Sequence, residues 1–339
     1  MIETIELRVR EELANQLFGD DEGVRLLGVR KVVVRRDDAR LPAILDLQRA
    51  CKRNDNYLYA GWEIRRSYTT EEMARAELFQ LRLTHVINTA GEQCGTRYDD
   101  TMACPFCGAM GQQMSELVIQ QRRLPRRAEL ASTLAGEWLV CERIATALLA
   151  PGLNGFTLAP VRTSVAHESE PYDLRDSASG RSLLQEMLER RLQPDTPEGW
   201  MWLNRSENRP ILRLALEESM ANAEQRPQSV GSRWFQLQVD ESKATIAQGS
   251  LFGSDPIDPE AIGENACPLG HTLGANQLSQ LQVLRASRSV DDFSLTSQYV
   301  GVRQGVFRPR QLILLSRAAF EILDNAKIRG AIVEPVVLA

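Results

Sequence analysis

The chain has 339 residues, 43% of them hydrophobic and 25% charged, with a formal net charge of −5. That length exceeds a single typical core and predicts two domains. The acidic balance works against sequence-independent nucleic-acid binding, which draws on a surplus of Lys and Arg, and no apolar run approaches the roughly eighteen residues a membrane helix needs.

The N-terminus, Met1-Ile2-Glu3-Thr4-Ile5-Glu6, starts as a strand. It lacks the basic start and apolar stretch of a secretory signal, so a cytoplasmic location is expected. A helical stretch around Arg10 to Phe18 and the apolar run Val32-Val33-Val34 follow. Pro42 suits the first turn of a second helix, in which Ile44, Leu47 and Cys51 share one face. Asn54-Asp55-Asn56 breaks that helix. Tyr57 to Tyr68 has the aromatic and β-branched content of a strand, and Thr70-Glu71-Glu72 opens a short helix with early acids.

Leu78 to Ile87 then reads as a strand, Gly91 to Gly111 as a cysteine-bearing loop, and Ser115 to Gln120 as a returning strand. Trp138 to Cys141 is a further strand, and a helix runs to near Ala150, where Pro151-Gly152 stops it. A short strand closes at Val161. The following stretch is polar and turn-rich, with an embedded helix from Ser182 to Leu192 carrying Leu183, Leu184, Met187 and Leu188 on one face. The remainder contains a strand at Trp234, a Gly- and Pro-rich loop from Gly249 to Gly274, a strand at Leu281 to Leu284, and a closing strand, helix and strand.

Internal similarity organises these pieces. Leu78-Phe79-Gln80-Leu81 is answered by Trp234-Phe235-Gln236-Leu237, and Ala103-Cys104-Pro105 by Ala266-Cys267-Pro268, each Cys standing seven residues before a Gly (Gly111, Gly274). Trp138-Leu139-Val140-Cys141-Glu142-Arg143 is answered by Leu312-Ile313-Leu314-Leu315-Ser316-Arg317. Gly155 and Gly330 each precede a Pro-Val by five residues. Four matches in one order outrank local patterns. The expected fold is α+β, an internally duplicated β-rich domain with a zinc-ribbon-like element and pseudo-twofold halves. Its expected divisions are an N-terminal α/β extension (1–54), a first repeat with a zinc-knuckle loop (55–165), a linker with a helix (166–198) and a second repeat with a partial knuckle (199–339).

Six cysteines in a chain of this kind do not make a disulfide framework. Cys51 and Cys141 sit in apolar patterns and read as packing residues. Cys94, Cys104 and Cys107 fall in one window. In a zinc ribbon, Cys-x-x-Cys followed by Gly lets two thiolates of one turn reach a tetrahedral ion while the Gly relieves the turn. Cys104-Pro105-Phe106-Cys107-Gly108 fits such a turn; Gly91-Glu92-Gln93-Cys94-Gly95 keeps its second half, with Gly91 where the first Cys belongs. The later copy, Cys267-Pro268-Leu269-Gly270-His271, offers a thiol and an imidazole. Two ligand sets follow: Cys104, Cys107, Cys267 and His271 around one shared ion, or Cys94, Cys104 and Cys107 with one ligand from the second copy. In either set the ion is zinc and joins the halves.

Thiolate-rich zinc sites are closed and structural, whereas catalytic zinc keeps an open position and a nearby base. No His-Glu-x-x-His, phosphate loop or dinucleotide fingerprint occurs. Of the three histidines, His85 lies in a strand pattern and His167 in the polar linker. Asp99-Asp100 reads as a loop-ordering pair, and Trp200, Trp202 and Trp234 as core. The basic cluster Arg122, Arg123, Arg126, Arg127 is the one feature that favours a nucleic-acid-associated zinc ribbon, and an enzyme with scattered site residues is the third alternative.

At the Cys-Pro-x-Cys-Gly loop (Cys104, Cys107, Gly108), more loosely at Cys94-Gly95 and at Cys267 with His271, and in the closing unit Leu312 to Val336, the sequence resembles the double-CXXCG motif proteins. These are bacterial proteins with two zinc-knuckle halves. The resemblance implies a non-catalytic interaction protein with a structural zinc ion and a protein partner, some such proteins serving as immunity partners of contact-delivered toxins. An acidic balance suits a basic partner.

Overall fold

A computed structural model describes residues 1–54, 56–125, 127–149, 152–164, 177–190, 234–240 and 243–339, together with nine isolated positions between 192 and 218. The fold is α+β and built mainly from sheets. No helix among the described residues is long and apolar enough to cross a membrane.

The N-terminal sheet has the order β2-β3-β1-β4, from β1 (Ile2–Arg10), β2 (Val24–Leu26), β3 (Val29–Arg35) and β4 (Tyr59–Ser67). The inward side chains Ile5, Leu7, Val9, Val32, Val34 and Ile64 meet Ile44 and Cys51 of helix α2 (Leu41–Arg53). Cys51 is therefore a packing residue, as its helical face requires. Because β4 pairs with β1 along its length, this unit runs past residue 54 to Ser67. A one-turn helix α1 (Glu11–Ala14) precedes β2, and α3 (Thr70–Arg75) leaves the unit through a capping box of Thr69 and Glu72.

Among the remaining described residues, two larger sheets have matching plans. One has the order β6-β10-β11-β13-β12-β9, from β6 (Val86–Ile87), β9 (Leu117–Gln120), β10 (Leu130–Thr133), β11 (Trp138–Cys141), β12 (Phe156–Ser164) and β13 (Trp234–Val239). The other has the order β14-β18-β19-β5-β20, from β5 (Leu78–Leu83), β14 (Lys243–Ala244), β18 (Phe293–Val300), β19 (Arg310–Ser316) and β20 (Ala331–Pro335). Beyond β20, β21 (Val337–Leu338) pairs in parallel with β17 (Gln282–Val283), as the end of β12 pairs in parallel with β9.

The central strand of each sheet comes from the other sequence range. Trp234 and Leu237 of β13 lie opposite Cys141 and Trp138, whereas Leu78 and Leu81 of β5 lie opposite Ser316 and Ile313. The ranges 55–165 and 199–339 therefore separate residues that pair within one sheet. The expected single strand Leu78–Ile87 accordingly breaks at Thr84-His85, where the chain passes from one sheet to the other. Register agrees position by position: Phe156, Leu158 and Pro160 face Val239, Leu237 and Phe235, and Ala331, Val333 and Pro335 face Leu83, Leu81 and Phe79.

Helices α4 (Glu142–Leu149) and α6 (Arg317–Asn325) follow β11 and β19 and pack on one another. Both enter a single core that takes Phe79, Val140, Leu237, Phe293 and Ile313 from the two sheets and Ile144 and Leu323 from the helices. Phe79 stacks on Phe320 with ring centroids 4.1 Å apart. Cys141 is half-buried at the edge of this core.

Strands β10 and β18 lie outside the expected elements, although the alternation of Phe293-Ser294-Leu295-Thr296 carries the signal of β18. The expected linker helix is α5 (Ala178–Glu189), with Leu183 and Met187 buried against Trp202. His167, Arg126 and Trp200 lie outside the described residues, as does most of 166–198.

Candidate metal centre

Cys104 and Cys107 sit in a tight turn between β7 (Tyr98–Asp99) and β8 (Gln112–Gln113); Cys267 and His271 sit in the matching turn between β15 (Phe252–Gly253) and β16 (Asn276–Gln277). Both turns close the same way. The Cys104 amide donates to the Ala109 carbonyl at 2.8 Å, and the Cys267 amide to the Thr272 carbonyl at 2.9 Å. Gly108 and Gly270 take φ of 73° and 77°, the left-handed conformation that glycine enters without steric cost. At Gly108 a side chain is excluded twice over, because a Cβ would stand 2.6 Å from the Cβ of Arg303.

The two turns meet. The ligand atoms of Cys104, Cys107, Cys267 and His271 all lie within 4.8 Å of one another, with Cys104 Sγ and Cys267 Sγ 3.7 Å apart and Cys267 Sγ 3.7 Å from His271 Nδ1. The three cysteines are buried and the histidine half-buried. These four groups could hold a metal ion. Cys94 is not among them: it lies buried in the short turn Gly91–Cys94, which packs on β9. Of the two ligand sets the sequence allows, the fold assembles the shared one.

The geometry explains why the upstream half-motif is incomplete. Gly91 has φ of 66°, and a Cβ there would come 2.8 Å from the hydroxyl of Tyr98. A cysteine at 91 would be strained and would clash. Tyr98, opposite Gln113, occupies the register place that Phe252 holds opposite Gln277.

Both turns are anchored on the region around the end of β18. The Tyr299 amide donates to the His271 carbonyl at 2.8 Å, and the Arg303 amide to the Cys107 carbonyl at 3.2 Å. Asp100 accepts from Arg303 at 2.6 Å and from Arg308 at 2.5 Å, and the Arg308 guanidinium lies over the Tyr98 ring, 4.2 Å from its centroid. Arg308, hydrogen-bonded first and then attracted electrostatically, holds the Asp100 carboxyl below its usual value. Asp99 accepts from the Thr101 amide at 2.8 Å. The acidic pair therefore orders the loop, as its position suggests.

The thiols are not equivalent. Burial works against the Cys104 thiolate, but the amides of Cys107 and Phe106 and the side chains of His271 and Cys107 favour it and bring Cys104 down to about 6. Burial is the first cause at Cys107 too, and the neighbouring Cys104 and Cys267 add to it, so that thiol is pushed up to about 11. One anion thus forms readily in the cluster, and the next is disfavoured by the first. A cation among the three sulfurs would remove that repulsion.

His85 is half-buried at the crossing between sheets, where its carbonyl accepts from the Ser132 amide. Trp202 and Trp234 are buried. Compared with known proteins, the chain matches no protein-family model and no curated protein.

Proposed function

We propose that this chain is a non-catalytic interaction protein, duplicated internally, whose halves exchange their central strands and are stapled by one structural zinc ion on Cys104, Cys107, Cys267 and His271. The observation that carries this reading is the ligand set itself, three thiols and an imidazole drawn equally from two turns far apart in sequence. Tetrahedral zinc with bonds of about 2.0–2.3 Å holds its ligand atoms about 3.5–3.8 Å apart, and the two 3.7 Å separations fit that spacing. A set of four protein ligands leaves no open position for water, which favours a structural role.

Strand exchange and zinc then have the same effect. Each makes the relative placement of the two halves part of one folding unit, which suits a rigid surface offered to another macromolecule. The partner is a protein. Immunity to a toxin is the activity that the likeness to double-CXXCG proteins contributes, and a basic toxin would complement the net charge of −5.

Elemental analysis of protein purified without a metal-affinity tag tests the centre, with about one zinc per chain expected. Folded protein free of zinc would overturn it. Affinity capture from cells carrying the neighbouring genes tests the interaction reading, which fails if no protein is retained.

A further inference from the structure

Two hollows adjoin at the start of β19. The larger, about 560 Å³, opens beside β4 and β5 and has Trp62, Phe307 and Arg82 on its walls. The smaller, about 360 Å³, reaches toward Tyr98 and Glu137. Trp138, Arg308, Arg310 and Gln311 line both, so the two share a wall. The larger volume lies within the usual range for small-molecule sites.

The charged side chains of this cleft each have a hydrogen-bond or ion-pair partner, with one exception. Glu63 pairs with Arg65 at 2.9 Å, and Glu137 accepts from the hydroxyls of Tyr98 and Thr133. Arg82 is bound to Glu334 and Arg308 to Asp100. The Arg310 side chain has no hydrogen bond or ion pair among the described residues, and the like charge of Arg82 acts on it. Strand register puts Arg310 and Arg82 on one face of the sheet. Gly136, with φ of 97°, lies against the stem: a Cβ there would approach Arg310 Cβ to 3.1 Å. The hollow beside the N-terminus, about 730 Å³, differs because its arginines are committed, Arg36 to the carbonyls of Pro256 and Leu278 and Arg35 to Asp37.

We propose that the cleft around Arg310 binds a small organic anion carrying a flat apolar ring. The guanidinium offers a planar fork of donors that matches a carboxylate or a phosphate. Trp62, Trp138 and Phe307 supply flat apolar wall for the ring; Phe307 is half exposed. Arg310 is open to solvent, and the like charge of Arg82 acts against its own. A bound anion relieves that repulsion.

The test is calorimetric titration of the full chain with 1-naphthyl phosphate, 1-naphthoate and neutral 1-naphthol. At least one anion is expected to bind with Kd below about 1 mM and at least about tenfold more tightly than naphthol. The stronger of the two anions identifies the headgroup as phosphate or carboxylate. Arg310→Ala is expected to weaken that anion at least about tenfold, and Arg310→Lys by less, since Lys keeps the charge without the fork. Inorganic phosphate as competitor on the unmutated protein, expected to weaken naphthyl phosphate binding, keeps the test usable if Arg310→Ala fails to fold. Equal binding of naphthol, unchanged affinity in Arg310→Ala, or no binding of either anion at about 5 mM would each overturn the proposal. Metal content measured on the same samples reports separately on the zinc centre.

Discussion

Gly155 faces the carbonyl oxygen of Phe293 so closely that a Cβ on it would come within 2.2 Å of that oxygen. Gly330 stands in the same relation to the carbonyl of Leu130, also at 2.2 Å. The two contacts are reciprocal, each joining the turn before one sheet's closing strand to the other sheet. Backbone hydrogen bonds repeat the pattern: the Asp240 amide donates to Gly155 and the Thr84 amide to Gly330, both at 2.9 Å.

Gly155→Ala and Gly330→Ala are each expected to cost about 3 kcal/mol, because rigid backbone must move and both positions have positive φ. Gly152→Ala, at φ of 71° with open space around it, isolates the conformational part and should cost about 1 kcal/mol. Chemical denaturation of the three variants separates steric from conformational cost. Equal losses at Gly155 and Gly152 would show that the close approach is unimportant.

Cys104→Ser and Cys267→Ser should each eject the metal, and Cys94→Ser should retain about one ion per chain. Adding a chelator to unmutated protein should lower its melting temperature, while metal-free Cys267→Ser should respond little. Elemental analysis with thermal melts reads both. Metal loss in Cys94→Ser alone would return the second ligand set.

Arg66 and Glu334, both buried, lie 3.2 Å apart and fasten the N-terminal sheet to β20, with Glu3 2.7 Å from the Arg66 side chain and Arg82 bound to Glu334. Removing the Glu334 charge leaves Arg66 with Glu3 alone and takes from Arg82 its carboxylate, so Glu334→Gln should cost about 3 kcal/mol. The pair Arg66→Met with Glu334→Leu should cost less than the two single changes summed. Denaturation of the four-member cycle tests this, and additivity would refute the coupling.

Glu129 joins Arg143 at 2.7 Å and Arg329 at 3.4 Å, and these bonds, Arg143 first, hold its carboxyl down at about 2. A folded value below the unfolded one means that the stabilisation is complete above the ordinary carboxylate range and fades as pH falls toward 2. Both arginine side chains are more than half exposed, so screening limits the effect to on the order of 1 kcal/mol. The stability gap between unmutated protein and Glu129→Gln should therefore close between about pH 5 and pH 2. A gap independent of pH would contradict the ion pair.

Local chemistry made much of this protein legible. Pro42 and the Ile44, Leu47, Cys51 face marked α2, the run Trp138 to Cys141 marked β11, and Cys-Pro-x-Cys-Gly marked a tight turn that could hold a metal, because caps, periodicity and turn geometry act over a few residues. All five ligand candidates were named from the sequence. Which four converge was not legible: Cys104 and Cys267, 163 residues apart, approach only after the strands that carry their turns have taken their places, and Cys94 lies in a separate turn that packs on β9. Alternation identifies Leu78–Leu83 and Trp234–Val239 as strands, yet says nothing of which neighbours complete their hydrogen bonds, so the exchange between sheets is a property of the tertiary structure alone. That the Arg310 side chain has no partner among the described residues belongs there too, since it follows from where the nearby acids find theirs.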